Sequence, residues 1–305
     1  MTASQTSSTT VRTEDGVELH VEVDDGPASA PTVVFVHGFT ARLAEFDLQR
    51  QTLRGRARTV LYDCRGHGRS HRKKVRRTTI DQLGRDLGVV LDATVPTGPA
   101  VLLGHSMGGM TIMALARQRP ELFGPRVVGA FLLATSSGGL VEKGVAGAWI
   151  RLLRRVHLLT LLLLWFRLWA PLAERFRTRG TASGRAFYRR NLFGTDDADP
   201  QAVTQVQQLL EQTPLPIVAA FYPTLLDHDE HASLVAMRSI PVTMLVGDAD
   251  RLTPASHSRR MAEQLPDAEL IVVPGAGHSV NITRPEVVDA ALLRLLDRAQ
   301  ESSAA

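Results

Sequence analysis

The sequence predicts an α/β fold: a mainly parallel, doubly wound sheet interrupted by a long helical insertion. Three observations carry that prediction. Short apolar runs alternate with helical patterns in two regions of the chain. Those runs are near-continuous in Val, Leu and Ile, as strands covered on both faces are. Between the two regions, residues 136–235 hold no convincing strand and carry all three tryptophans, Trp149, Trp165 and Trp169.

Taken in order, residues 1–10 (MTASQTSSTT) are small and polar, lack the apolar run of a signal peptide, and are expected to be a disordered tail. Residues 11–25 (VRTEDGVELHVEVDD) read as a hairpin with Asp-Gly at its turn, adding antiparallel strands at one edge. Buried strands are expected at 31–38, 57–68, 99–106 and 126–135, and again at 240–248 and 268–278. Over 78–93 the stripe Ile80, Leu83, Leu87, Val90 and Leu91 predicts an amphipathic helix, with Thr79 and Gln82 spaced as a capping box. An Ala/Met/Leu helix follows over 107–120, stopped near Pro120, and a last helix over 284–299 has Pro285 in its first turn. The expected domains are therefore a core of 11–135 plus 236–305 and an insertion of 136–235. No internal repeat is present.

With 305 residues, 44% of them hydrophobic, the chain can bury a sizeable core. A single cysteine, Cys64, cannot form an internal disulfide, which suits a reducing compartment and a cytoplasmic location. The net charge is only +4, but residues 65–77 carry +7 and residues 151–190 carry +9, leaving −12 on the remainder. Such asymmetry fits an anionic surface or substrate as well as a solvated arginine-rich face. Residues 156–166 (VHLLTLLLLWF) are uncharged. At 1.5 Å per residue they span about 16 Å, against about 30 Å for a bilayer core, and Arg167 and Pro171 limit any extension. Leu and Trp flanked by arginines also suit a helix lying in a headgroup region, so peripheral contact with an anionic membrane is a further expectation. No nucleotide-binding glycine motif is present, and no cofactor or nucleic-acid partner is implied. The run His228-Asp229-Glu230-His231 has a metal-like composition without metal-ligand spacing, so no metal is expected.

The stretch Leu102-Leu103-Gly104-His105-Ser106-Met107-Gly108-Gly109-Met110 carries the chemistry. A serine exposed at the top of a parallel sheet must sit on a tight strand-to-helix turn. Only tiny residues two positions either side let strand and helix approach, hence Gly104 and Gly108. This is a nucleophile elbow with a strand before it and a helix after it. A serine hydroxyl needs a base, and the base needs a carboxylate to orient it. Asp248 and Asp250 end one later strand and His278 follows the last, in the chain order Ser, acid, His.

On these residues the chain resembles the α/β-hydrolases, within the esterase/lipase-like group with a serine nucleophile. The resemblance covers 25–135 and 236–300. It includes His37-Gly38-Phe39, the run Asp63-Cys64-Arg65-Gly66-His67-Gly68-Arg69-Ser70, Gly247 to Pro254, and Gly275-Ala276-Gly277-His278. It implies Ser106 as nucleophile, His278 as base and Asp250 in the acid slot. Asp248 is the alternative acid, or braces the turn. It further implies the backbone N–H groups of Phe39 and Met107 as oxyanion donors, and His37 and Arg65 as structural residues. His105, beside the nucleophile, is expected to point away from the pocket. The insertion resembles the family's helical cap, and a small apolar ester is the implied substrate. Epoxide hydrolases and haloalkane dehalogenases resemble proteins with Asp at the elbow, so Ser106 argues against both. Carbon–carbon bond hydrolases, cofactor-free haloperoxidases or perhydrolases, and non-catalytic binding proteins of the same fold stay open.

Overall fold

A computed structural model describes residues 6–71, 78–140, 158–195 and 198–304. Eight strands form one sheet: β1 (Thr6–Arg12), β2 (Glu18–Asp24), β3 (Thr32–Val36), β4 (Thr59–Tyr62), β5 (Ala100–His105), β6 (Val127–Leu133), β7 (Val242–Gly247) and β8 (Glu269–Val273). Their order is β1-β2-β4-β3-β5-β6-β7-β8, with every pair from β4 to β8 parallel and the β1–β2 hairpin antiparallel at one edge. Strands β3 to β7 are buried throughout, which is why their sequences run apolar instead of alternating.

Helices cover both faces. On one side α2 (Ile80–Thr94), α3 (Met107–Gln118) and α8 (Ala255–Gln264) pack against the sheet. On the other lie α1 (Asp47–Leu53) and α10 (Pro285–Ala304), with the single turn α9 (Val280–Thr283) before it. The stripe Ile80, Leu83, Leu87, Val90 and Leu91 is wholly buried in the first layer, each side chain contributing roughly 1.5–3 kcal/mol. The capping box at its start is half made. Thr79 accepts from the Gln82 N–H at 3.1 Å, but the Gln82 amide donates to Asp86 instead of turning back. Helices α1 and α8 escaped the sequence pattern.

The remaining helices lie between β6 and β7: α4 (Leu158–Arg175), α5 (Ala182–Tyr188), α6 (Pro200–Leu210) and α7 (Leu215–Leu226). They form the insertion expected from the break in strand pattern. Pro171 lies inside α4 rather than ending it. The expected segments 72–77 and 141–157, with Trp149, lie outside the described residues.

One expectation needs correction. The tail of 1–10 is ordered from Thr6, because Thr6–Arg12 pairs in register with Asp24–Glu18. A strand at a sheet edge gains its stability from main-chain bonds and the β-propensity of threonine, so a polar run can form one without a buried face. The Thr6 hydroxyl also bonds Asp24 at 2.6 Å. Arg65, expected to be structural, contributes nothing to the basic charge of its segment's surface. It is fully buried and bridges Asp15, in the hairpin turn, to Asp86 on α2 at 2.9 and 2.6 Å. A buried guanidinium needs such partners. Asp15 lies well below the usual carboxylate range because Arg65 binds it, whereas the more deeply buried Asp86 is raised, its burial outweighing the same cation.

Candidate active site

Ser106 stands where β5 becomes α3. Its φ of 53° and ψ of −116° are strained for a residue with a side chain, at a cost of about 1–3 kcal/mol. Neighbouring bonds hold the strain in place. The Ser106 N–H donates to the Leu133 carbonyl at 2.9 Å, and the Thr135 hydroxyl donates to the Ser106 carbonyl at 2.6 Å. A Cβ on Gly104 would overlap the Gly108 backbone, and one on Gly108 would overlap the Val36 carbonyl. Strand and helix therefore meet backbone to backbone, and Ser106 lines the cavity above them.

Neighbouring parallel strands bring the expected acid and base to the same sheet edge. Asp250 follows β7 and His278 follows β8. His278 Nδ1 lies 2.8 Å from Asp250 Oδ2. The N–H groups of Leu252 and Thr253 donate to Asp250 Oδ1 at 2.8 and 2.9 Å, and the Thr253 hydroxyl donates to Oδ2 at 2.8 Å. Burial raises the Asp250 pKa, but His278 and these donors outweigh it, so the carboxyl sits below its ordinary value and stays ionised. An ionised Asp250 fixes the His278 tautomer: Nδ1 carries the proton and Nε2 keeps its lone pair. Asp248 takes the bracing part, accepting the Gly275 N–H at 2.7 Å. Ser106 and His278 line one cavity. No hydrogen bond joins them among the described residues, and such bonds commonly tighten only when substrate arrives.

The turn after β3 supplies the other wall. His37 accepts the Cys64 N–H on Nε2 at 2.9 Å, so its Nδ1 carries the proton and donates to the Gly38 carbonyl at 2.8 Å. The Gly38 N–H donates to Glu45 at 2.8 Å, and Thr40 adopts a positive φ of 64°. These contacts fix the peptide that carries the Phe39 N–H. Neither that N–H nor that of Met107, at the first position of α3, has an acceptor among the described residues. The Met107 group also sits at the positive end of the helix dipole.

The cavity above Ser106 measures about 580 Å³, within the usual range for a small-molecule site. Met110, Leu140, Leu192, Val218, Leu225 and Phe187 make most of it apolar. A larger cleft of about 800 Å³, between the start of α2 and the end of α7, contains none of these three groups and has no such donors facing it. The His228–His231 run is otherwise engaged. His228 bonds the Ser136 carbonyl and is pushed down to about 4 by burial, while Glu230 pairs with Arg117.

Residues 33–291 match the model of the alpha/beta hydrolase family. The chain belongs to that family. Among relatives of this alpha/beta hydrolase is the "Putative carbamate hydrolase RutD" of Caulobacter sp. strain K31, 30% identical over 93% of this chain and 97% of the relative. The 3-oxoadipate enol-lactonase 1 of Acinetobacter baylyi is 26% identical, over 93% and 94%. A thermophilic esterase from Thermogutta terrifontis superposes with a TM-score of 0.74 at 25% identity, covering 96% of this chain and 99% of that one.

Two groups at this alpha/beta hydrolase's site were not foreseen. Thr253 lies inside the Gly247–Pro254 motif and so had a local signal. Glu45 had none. It meets His105 at 2.9 Å, sixty residues later in sequence. His105, expected to point away from the pocket, is among the residues that line the cavity above Ser106, and its ring lies against that of His278, with centroids 4.8 Å apart.

Proposed function

We propose that this hydrolase cleaves carboxylic esters with an apolar acyl group, through an acyl-enzyme on Ser106. One observation carries the reading: a buried, ionised Asp250 held 2.8 Å from His278, beside the cavity onto which the strained serine opens. In this mechanism Ser106 Oγ attacks the acyl carbon while its proton passes to His278 Nε2. The new oxyanion accepts from the Phe39 and Met107 N–H groups, each worth about 3 kcal/mol in the transition state. The intermediate collapses, the carbon–oxygen bond to the alcohol breaks, and the alcohol leaves with the proton from His278. Water then gives a proton to His278 and attacks the acyl carbon. The acid departs, and Ser106 regains its proton.

The apolar cavity supports a medium-length acyl chain. The kinship with a protein named for carbamates motivates carbamates as a second substrate class, since the same acyl-carbon chemistry serves both. A series of p-nitrophenyl esters of increasing chain length, with carbamate analogues beside it, tests the reading. Rising kcat/KM toward medium chains supports it. No hydrolysis anywhere in the series, with turnover of ring-cleavage diketones or peroxide-dependent halide oxidation instead, would replace it. A fluorophosphonate probe separates enzyme from binder: wild type should label and Ser106→Ala should not.

A further inference from the structure

Nine of the fourteen large hydrophobic side chains exposed among the described residues lie between Leu158 and Phe176, that is, on α4 and just past its end. At 3.6 residues per turn, Leu163, Phe166 and Ala170 form one stripe, and that stripe is the protein-facing side. It packs against α7. Leu161, Trp165, Leu168, Trp169 and Leu172 point the opposite way and are between 46% and 69% exposed. The helix thus inverts the usual surface pattern, with its apolar face outward.

The segment that carries that face is strongly basic. Residues 158–190 contain seven arginines and one acid, Glu174. Glu174 is already engaged by Arg177, Arg179 and the Leu215 N–H. Arg175, Arg189 and Arg190 have no carboxylate partner among the described residues, whereas Arg167 lines the clefts between α4 and α7.

We propose that α4 docks this protein in the plane of an anionic lipid bilayer, with Trp165 and Trp169 at the headgroup boundary and the arginines on lipid phosphates. Three points select that occupant. Tryptophan and aliphatic side chains in an arginine-rich segment match an interfacial helix. A second copy packed symmetrically on this face would bring the arginine-rich segments against each other, which an anionic surface does not. Finally, no helix among the described residues is long and apolar enough to cross a membrane, so an 18-residue helix, about 27 Å long, would lie along the surface. Leu226 on α7 lines both the cavity above Ser106 and a gap of about 380 Å³ between α4 and α7. On the ester reading, docking would put the cavity one helix away from lipid-derived substrate. The docking itself does not depend on that reading.

Co-sedimentation of the full chain with extruded vesicles tests the proposal. Wild type and Ser106→Ala should both bind equimolar phosphatidylcholine/phosphatidylglycerol and should release at high salt. Binding to pure phosphatidylcholine should be at least about ten-fold weaker. Trp165→Gln/Leu168→Gln should partition about ten-fold less or worse onto the anionic vesicles, with unchanged circular dichroism and unchanged hydrolysis of a short soluble ester. Absent vesicle binding, equal binding by the double variant, or equal binding to neutral vesicles overturns the proposal. So does a wild-type dimer in sedimentation velocity that the double variant loses, because the face would then belong to a second copy.

Discussion

The imidazole of His105 spans two walls of the site: its Nε2 lies 3.0 Å from the backbone carbonyl of His278 and its Nδ1 lies 2.9 Å from Glu45. Both partners are acceptors, so both ring nitrogens must donate and the ring is an imidazolium. Glu45 also accepts the Gly38 N–H, and the Glu45 carbonyl accepts from Asn281. The pair thereby ties the turn carrying Phe39 to the loop carrying His278.

From this tie a kinetic prediction follows. His105→Asn should lower kcat for a p-nitrophenyl ester by about ten- to a hundred-fold with little change in KM, since loss of alignment costs rate more than binding. It should also lose about 3–5 kcal/mol of stability by leaving Glu45 charged, buried and unpaired. The double variant Glu45→Gln/His105→Asn should recover part of that stability. Denaturant unfolding of Glu45→Gln, His105→Asn and the double variant checks this, and two single losses that simply add would argue against a coupled pair.

The same pair sets a pH dependence. Burial disfavours charge on each group, but each partner's charge outweighs it, so His105 is raised above 6.5 and Glu45 lowered below 4.5. A raised His105 stabilises the fold fully below 6.5, and the gain is lost as pH rises through its elevated folded value. A lowered Glu45 stabilises fully above 4.5, and that gain is lost as pH falls through its depressed folded value. The pair therefore helps most between these limits. The stability difference between wild type and the double variant should favour wild type most in that window and shrink on either side. Urea midpoints across pH measure it; a flat difference would refute the ion pair.

Removing members of the proposed catalytic set should act unequally. Ser106→Ala and His278→Ala should each lower kcat by about 10⁴-fold or more. Asp250→Asn should cost about 10³- to 10⁴-fold through loss of the productive tautomer. Because these groups act as a unit, the double variant Ser106→Ala/Asp250→Asn should be no slower than Ser106→Ala alone. Residual steady-state hydrolysis of the same ester by the two variants tests this, and fully multiplicative losses would break the assignment.

Gly108→Ala should be among the most damaging single methyl additions in the chain. The new Cβ would overlap the Val36 carbonyl, a backbone atom that cannot rotate away. Overpacking of this kind costs about 1–3 kcal/mol or more and should displace Ser106, so fluorophosphonate labelling should fall even in molecules that remain folded. Wild-type labelling with wild-type stability would mean that strand and helix are less tightly joined than the structure has them.

Narrowing the cavity should shift specificity. Leu225→Trp adds bulk on α7 in the lining of the cavity above Ser106, and it should reduce kcat/KM for medium-chain esters relative to acetate by about ten-fold or more, given roughly 1–3 kcal/mol per methylene excluded. An unchanged chain-length profile would relocate the acyl group.

The sequence by itself determined the sheet, the elbow, and the order in which Ser106, Asp250 and His278 arrive. Those features are local. A buried parallel strand needs an unbroken apolar run, and a serine turn needs Gly104 and Gly108 at fixed spacing, so each leaves its mark within a dozen residues. Only the tertiary structure decided what depends on distant partners. The Glu45–His105 pair joins residues sixty apart with no periodic signal. The polar run from Thr6 becomes a strand because β2 offers it an edge. Arg65 was legible as structural, but its partners Asp15 and Asp86 were not, because they come from the hairpin turn and from α2. The apolar face of α4 has the composition of a core helix, and α7 can cover only one side of it. Which side stays outward was set by packing, because composition specifies how much a helix must bury but not the direction in which its neighbour lies.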